Sequence, residues 1–119
     1  MNWGAVAFAG VLTVAGAAQA GPPVVVELYT SQGCGACADA SGVVTGLAEN
    51  EDVLPLIFSV DYWDYLGWRD TFAKPEFAAR QQSYARRWDS AAVFTPQVIV
   101  DGVGQARATE AKAVQQLIR

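Results

Sequence analysis

The chain contains no histidine, and that single absence removes several kinds of chemistry. A Cys–His hydrolase, a Ser–His triad and any His-ligated metal site are excluded. Cysteine is scarce too: Cys34 and Cys37 are the only two, and two thiols cannot close a tetrahedral zinc site within one chain. There is no glycine-rich phosphate loop. Basic residues are outnumbered, 8 Lys and Arg against 12 Asp and Glu, and the net charge of −4 offers no cationic face. Nucleic acid is therefore not an expected partner. The apolar stretch from Ala5 to Ala18 is short and built largely of Ala and Gly, so no stable membrane insertion is expected from it.

What is present begins with that stretch. Residues 1–20 carry no charged side chain, and Ala18-Gln19-Ala20 has the small-x-small form of a signal-peptide cleavage site. Pro22-Pro23 ends any helix just beyond it. The n-region has no Lys or Arg, so the Met1 amine supplies its only positive charge. The bland alternative is a buried N-terminal helix. The reading predicts a signal peptide over 1–20, a single domain over 21–119, and a periplasmic or secreted location. What remains after cleavage is long enough for one small core.

Val24 to Thr30 is a β-branched apolar run and reads as a buried strand. A turn through Thr30-Ser31-Gln32-Gly33 leads to a helix predicted from Gly35 to Glu49. Val53 to Val60 reads as a second buried strand, interrupted early by Pro55. Two such strands joined through a helix make a parallel β-α-β unit. Pro75 and Glu76 suit the first turn of another helix, with Phe77, Gln81, Tyr84 and Trp88 at helical spacing on one face. Gln97 to Val100 is a third strand, Asp101-Gly102 a hairpin turn signal, and a return strand precedes a last helix over 110–119 with Thr109 as its expected N-cap. The order β-α-β-α-β-β-α predicts an α/β fold: a central mixed four-stranded sheet with helices on both faces.

The chemistry centres on Cys34-Gly35-Ala36-Cys37. A strand that delivers two thiols, three residues apart, to a helix start is suited to reversible disulfide exchange. Cys34 is expected at the helix N-terminus, where unpaired N–H groups favour the thiolate. It is the expected nucleophile, and Cys37, one turn into the helix, the resolving thiol. A purely structural bond is the alternative, and a weak one: closing four residues stabilises by roughly 2 kcal/mol, against about 3 for fifteen. Glu27, an acid inside a buried strand, needs a task or a partner. It either lies beneath the disulfide and takes the proton from Cys37, or is a strand-end carboxylate that reaches water or pairs with an arginine. Asp61, Trp63 and Asp64 follow the second strand, at the sheet edge where open α/β sheets bind ligands. They form a substrate surface, tune the thiols or, for Tyr62, Trp63 and Trp68, pack the core.

The strings Val26-Glu27-Leu28-Tyr29-Thr30-Ser31-Gln32-Gly33-Cys34 with Cys37, and Val60-Asp61-Tyr62-Trp63-Asp64-Tyr65-Leu66-Gly67-Trp68, resemble two blocks of a secreted thioredoxin-like family, domain of unknown function 1223. Phe72, Pro75, Phe77, Arg80-Gln81, Tyr84-Ala85, Thr95-Pro96-Gln97-Val98 and Val100-Asp101-Gly102 extend the match. The resemblance implies a thioredoxin-like fold and export, but hands over no activity. Thioredoxin-like enzymes set a cis proline opposite the CxxC, where the preceding backbone pairs with substrate. Thr95-Pro96 is the matching position, and an ordinary trans proline at a strand start is the alternative. Members usually carry two prolines after the second cysteine, where this chain has Ala38 and Asp39, and they continue with further β structure after the last helix.

The expected function is thiol–disulfide exchange with protein substrates and a redox-recycling partner, needing no cofactor beyond the cysteine pair. Thr95, Pro96, Trp63 and Asp61 are its expected substrate-binding residues. The rivals are a Cu(I) carrier that uses the two soft sulfurs, and a non-catalytic module that presents the aromatic block to a partner.

Overall fold

The structure, a computed structural model, describes residues 10–12, 16, 21–90 and 92–119. The expected leader over 1–20 lies outside the described residues except at 10–12 and 16. The elements are β1 (Val24–Thr30), α1 (Cys37–Gly46), β2 (Val53–Ser59), α2 (Pro75–Arg87), β3 (Gln97–Val100), β4 (Gly104–Arg107) and α3 (Ala111–Ile118). Single 3₁₀ turns occupy Leu47–Glu49 and Asp64–Leu66.

The sheet order is β2-β1-β3-β4, with β1 parallel to β2 and antiparallel to β3, and β3 antiparallel to β4. This is the α/β architecture of a thioredoxin-like fold. It follows from the pattern of β1, whose residues alternate between two apolar layers. Val26 and Leu28 join Ala40 and Val44 of α1, Val98 and Val100 of β3 and Val114 of α3. Tyr29 joins Ile99 and Ala78 of α2 on the other face. Each fully buried Val, Leu or Ile contributes roughly 1.5–3 kcal/mol, so the central strand is the main anchor of both layers. Tyr29 stacks on Phe58 at 5.3 Å, and Phe58 meets Phe77 edge-on at 5.1 Å, which fastens α2 to the sheet.

Pro55 sits opposite Val26 in the ladder and is tolerated because β2 is an edge strand. Pro75 opens α2 at its first turn, where its missing N–H costs nothing. The β3–β4 turn has φ of 50° at Asp101 and 71° at Gly102, the positive values that a mirror-image hairpin turn requires. Asp101 also ties this turn to β1: its carboxylate accepts the Val25 N–H at 2.9 Å.

Three expected boundaries are corrected. The first helix begins at Cys37 rather than Gly35, because Cys34 to Cys37 closes as a turn in which the Cys37 N–H donates to the Cys34 carbonyl at 3.1 Å. Its last turn, 47–49, tightens to 3₁₀ after Gly46. Glu110, not Thr109, is the N-cap of α3, and no side chain caps that end.

Candidate active site

β1 runs out at Thr30, and the chain then turns through Ser31–Gly33 to the cysteines. The Ser31 hydroxyl accepts the Gly33 N–H at 3.1 Å, and the Ser31 carbonyl accepts the Cys34 N–H at 3.2 Å. Cys34 and Cys37 are joined as a disulfide, with Cα atoms 5.4 Å apart. Cys37 is the first residue of α1, while Cys34 lies in the turn before it. The residue held at the helix N-terminus is thus Cys37, a correction to the expected placement of Cys34. Both are largely covered, Cys34 at 6 % exposure and Cys37 at 2 %, so the outer position falls to Cys34 by a small margin.

The disulfide opens into a groove of about 430 Å³ between α1 and β2, lined by Cys34, Cys37, Ser41, Ile57, Ser59, Trp68 and neighbouring residues, none of them charged. Trp68 is 57 % exposed and stands at the wall of this groove. Its reading as a core residue is corrected.

The segment after β2 braces the site from the other side. A Cβ added at Gly33 would lie 3.1 Å from the Trp63 Cβ, so Trp63 packs directly over the turn that precedes Cys34, and a side chain there would have to displace it by a few tenths of an ångström. The Trp63 indole N–H donates to the Thr95 hydroxyl at 2.8 Å. One tryptophan therefore bridges the cysteine turn and the loop that enters β3. The Thr95–Pro96 peptide is cis. Tyr29 pairs with Gln97, which sets Pro96 beside the end of β1, where the cysteine turn begins. Tyr62 and Trp63 both pack against the α2-side layer. Asp61 is half-buried, and its backbone carbonyl accepts the Asp64 N–H at 3.0 Å.

Glu27 is buried at 2 % exposure on the α2 face of β1. Its carboxylate accepts from Arg80 Nε at 2.5 Å, Tyr84 Oη at 2.6 Å and Tyr29 Oη at 3.0 Å. Among the expectations for this residue, the pairing with an arginine is present. Cys37 begins the helix that packs on the opposite face. Burial pushes the Tyr29 phenol well above its ordinary range, and the charge and hydrogen bond of Glu27 add to this. Burial, followed by the hydrogen bond to Glu27, raises Tyr84 as well. The hydrogen bond to Glu27 raises the already high value of Arg80.

Two groups absent from the expected site hold it in place. Asp70, buried at the end of the aromatic segment, accepts the Gln32 N–H at 2.9 Å and the Phe72 N–H at 2.9 Å. Gln81 of α2 donates to the Phe94 carbonyl at 2.8 Å and to Gln97 at 2.9 Å, and accepts from Tyr62 at 2.9 Å. The helical face through Gln81 was visible in the sequence. The only local sign of Asp70 was its turn-forming residue type.

Residues 25–119 match the family described as protein of unknown function (DUF1223). The chain belongs to that family. For this DUF1223 member, comparison with the curated proteins finds no significant match. Its structure is similar to the crystal structure of a protein from Agrobacterium tumefaciens, solved as a structural-genomics target. The two share 38 % identity with a TM-score of 0.76 over 84 % of this chain. The DUF1223 chain spans 46 % of that protein's length.

Proposed function

We propose that the protein is an exported thiol–disulfide oxidoreductase acting on protein substrates in the periplasm or outside the cell. The observation that carries the reading is the Cys34–Cys37 disulfide facing an open, uncharged groove at the end of the parallel strand pair. A bond serving stability alone has little to gain from a four-residue loop, roughly 2 kcal/mol, and no need of a groove. Thr95 and Pro96, tied to Trp63, form the docking edge for the substrate backbone, with Asp61 at the same end of the sheet.

In the reducing direction the Cys34 thiolate attacks a substrate disulfide. A mixed disulfide forms and one substrate thiolate leaves. Cys37 then loses its proton to water in the groove and attacks the Cys34 sulfur. The intramolecular disulfide forms and the second substrate thiolate departs. Two electrons pass from the cysteine pair to the substrate, and a dithiol partner restores them. The oxidising direction is the reverse. In this reading Glu27 anchors α2 and takes no part in proton transfer.

The test is the reduction potential of the pair, measured by thiol trapping in glutathione buffers. A value near about −120 mV marks a disulfide donor and one near about −270 mV a reductant. A pair that stays oxidised to well below about −300 mV behaves as a structural bond, and the proposal fails.

A further inference from the structure

We propose that the groove beside the disulfide is a specificity subsite for a large apolar side chain adjacent to the reacting cysteine of an extended polypeptide, with Trp68 and Ile57 as its walls. The inference rests on the oxidoreductase reading above and names the substrate class of that site. Three observations converge on it.

The first is exposure on a braced backbone. Trp68 is 57 % and Ile57 45 % exposed, yet both are held. Ile57 sits in the β1–β2 ladder opposite Leu28. Trp68 lies between Gly67, whose φ of 98° closes the 3₁₀ turn, and buried Asp70, whose carboxylate grips the Gln32 amide. Two large apolar surfaces therefore stand in water in a fixed arrangement, which lowers the ordering cost of binding.

The second is charge. No charged residue lines the groove. A small anionic thiol such as glutathione, with two carboxylates, finds no counter-ion there, whereas an uncharged apolar side chain brings no charge that needs one. The third is the disulfide itself, which lines the same groove and so fixes what the occupant must carry: a cysteine within one residue of the apolar group.

In the oxidised protein the substrate thiolate attacks the Cys34 sulfur. The Cys34–Cys37 bond breaks, its electron pair leaves on Cys37, and the mixed disulfide holds the peptide with its neighbouring side chain in the groove. A second substrate thiolate then attacks the peptide sulfur and releases Cys34. Two substrate thiols are oxidised to one disulfide, and the cysteine pair is reduced.

The experiment uses the full oxidised chain and two short peptides with a central cysteine flanked on both sides by Leu or by Asn. These side chains are similar in size and uncharged, and each peptide's rate is expressed per thiolate from the measured pKa of its own thiol. Mixed-disulfide formation is followed by acid quench and mass spectrometry, and each rate is divided by that protein's rate with glutathione. The leucine peptide should react at least about fivefold faster than the asparagine peptide. W68A and Ile57→Thr should each bring the ratio to within about twofold of unity. Trp68→Phe should keep the preference, as should Val103→Ala on the distant hairpin. Equal peptide rates in the unaltered protein, or a preference that survives W68A, overturn the subsite while leaving the oxidoreductase reading intact. A protein that exchanges with neither peptide nor glutathione overturns both.

Discussion

Asp70 shows how one buried carboxylate can set the geometry of a site it does not touch. It satisfies the Gln32 amide, two residues before Cys34, and the Phe72 amide, and its own N–H donates to Asp64 at 3.0 Å. Hydrogen bonds to a charged group contribute roughly 1.5–3 kcal/mol. Asp70→Ala should lower the midpoint of urea unfolding by an amount equivalent to about 2–3 kcal/mol, with faster amide hydrogen exchange at Gln32. Asp70→Asn, which keeps one acceptor oxygen, should lose about half as much. Tyr29 and Tyr84 give a second residue-level expectation. Their phenols hold protons more tightly in the folded protein than the ordinary value of 10.0. Stability from this source is complete below pH 10 and falls as pH rises above it, because the unfolded chain then releases protons that the folded chain retains. Urea midpoints between pH 8 and 11 should show that decline, and Tyr29→Phe should flatten it.

At the scale of elements, α2 and the segment joining it to β2 frame the cysteine turn. Gln81 alone links α2 to Phe94, Gln97 and Tyr62. Gln81→Ala leaves buried partners without their mates, at a cost of roughly 1–3 kcal/mol. In a domain of this size that is a drop of about 4–8 °C in Tm for each kcal/mol, which calorimetry would register. The elements legible from the sequence were those whose patterns are local. β1 and β3 were written in runs of Val, Leu and Ile, α2 in its proline start and one apolar face, and the hairpin in Asp101-Gly102. The start of α1 was not legible, since nothing in Gly35-Ala36 distinguishes a turn from a first helical turn. Within the site, the disulfide pair and the cis position at Thr95-Pro96 could be read from spacing and resemblance. The bridging role of Trp63, the exposure of Trp68 and the buried grip of Asp70 could not. Each depends on a partner far along the chain, and residue type alone fits both a core and a surface position. Glu27 was visibly in need of a partner, but its choice of Arg80, 53 positions away, is a product of the fold.

For the whole molecule, the redox state and the stability of the fold are two measurements of one quantity. The Cys34–Cys37 pair sits at the junction of β1 and α1, so any preference of the folded protein for the dithiol or the disulfide must appear in its unfolding free energy. If the reduced form is the more stable by about 1.4 kcal/mol, the folded pair must be more oxidising than the same pair in the unfolded chain by about 30 mV. Denaturant unfolding of the two forms, set beside the two potentials, should close this cycle. A mismatch beyond experimental error would mean that one of the four equilibria was not reached or that unfolding is not two-state.

The sheet order has a consequence for how the protein is made. β1 is the first of the described elements to be synthesised, yet the neighbour on its second edge is β3; the contact between Val25 and Asp101 spans 76 residues. At about 5–20 residues per second, that edge of β1 waits roughly 4–15 s for its partner. For most of the wait Cys34 and Cys37 are already present, beside an unfinished sheet and without the loop that carries Thr95 and Pro96. The pair can therefore acquire or lose its disulfide on the nascent chain before the surface that selects its partners exists. The surroundings can thus set the redox state of a new molecule before its own site is there to do so.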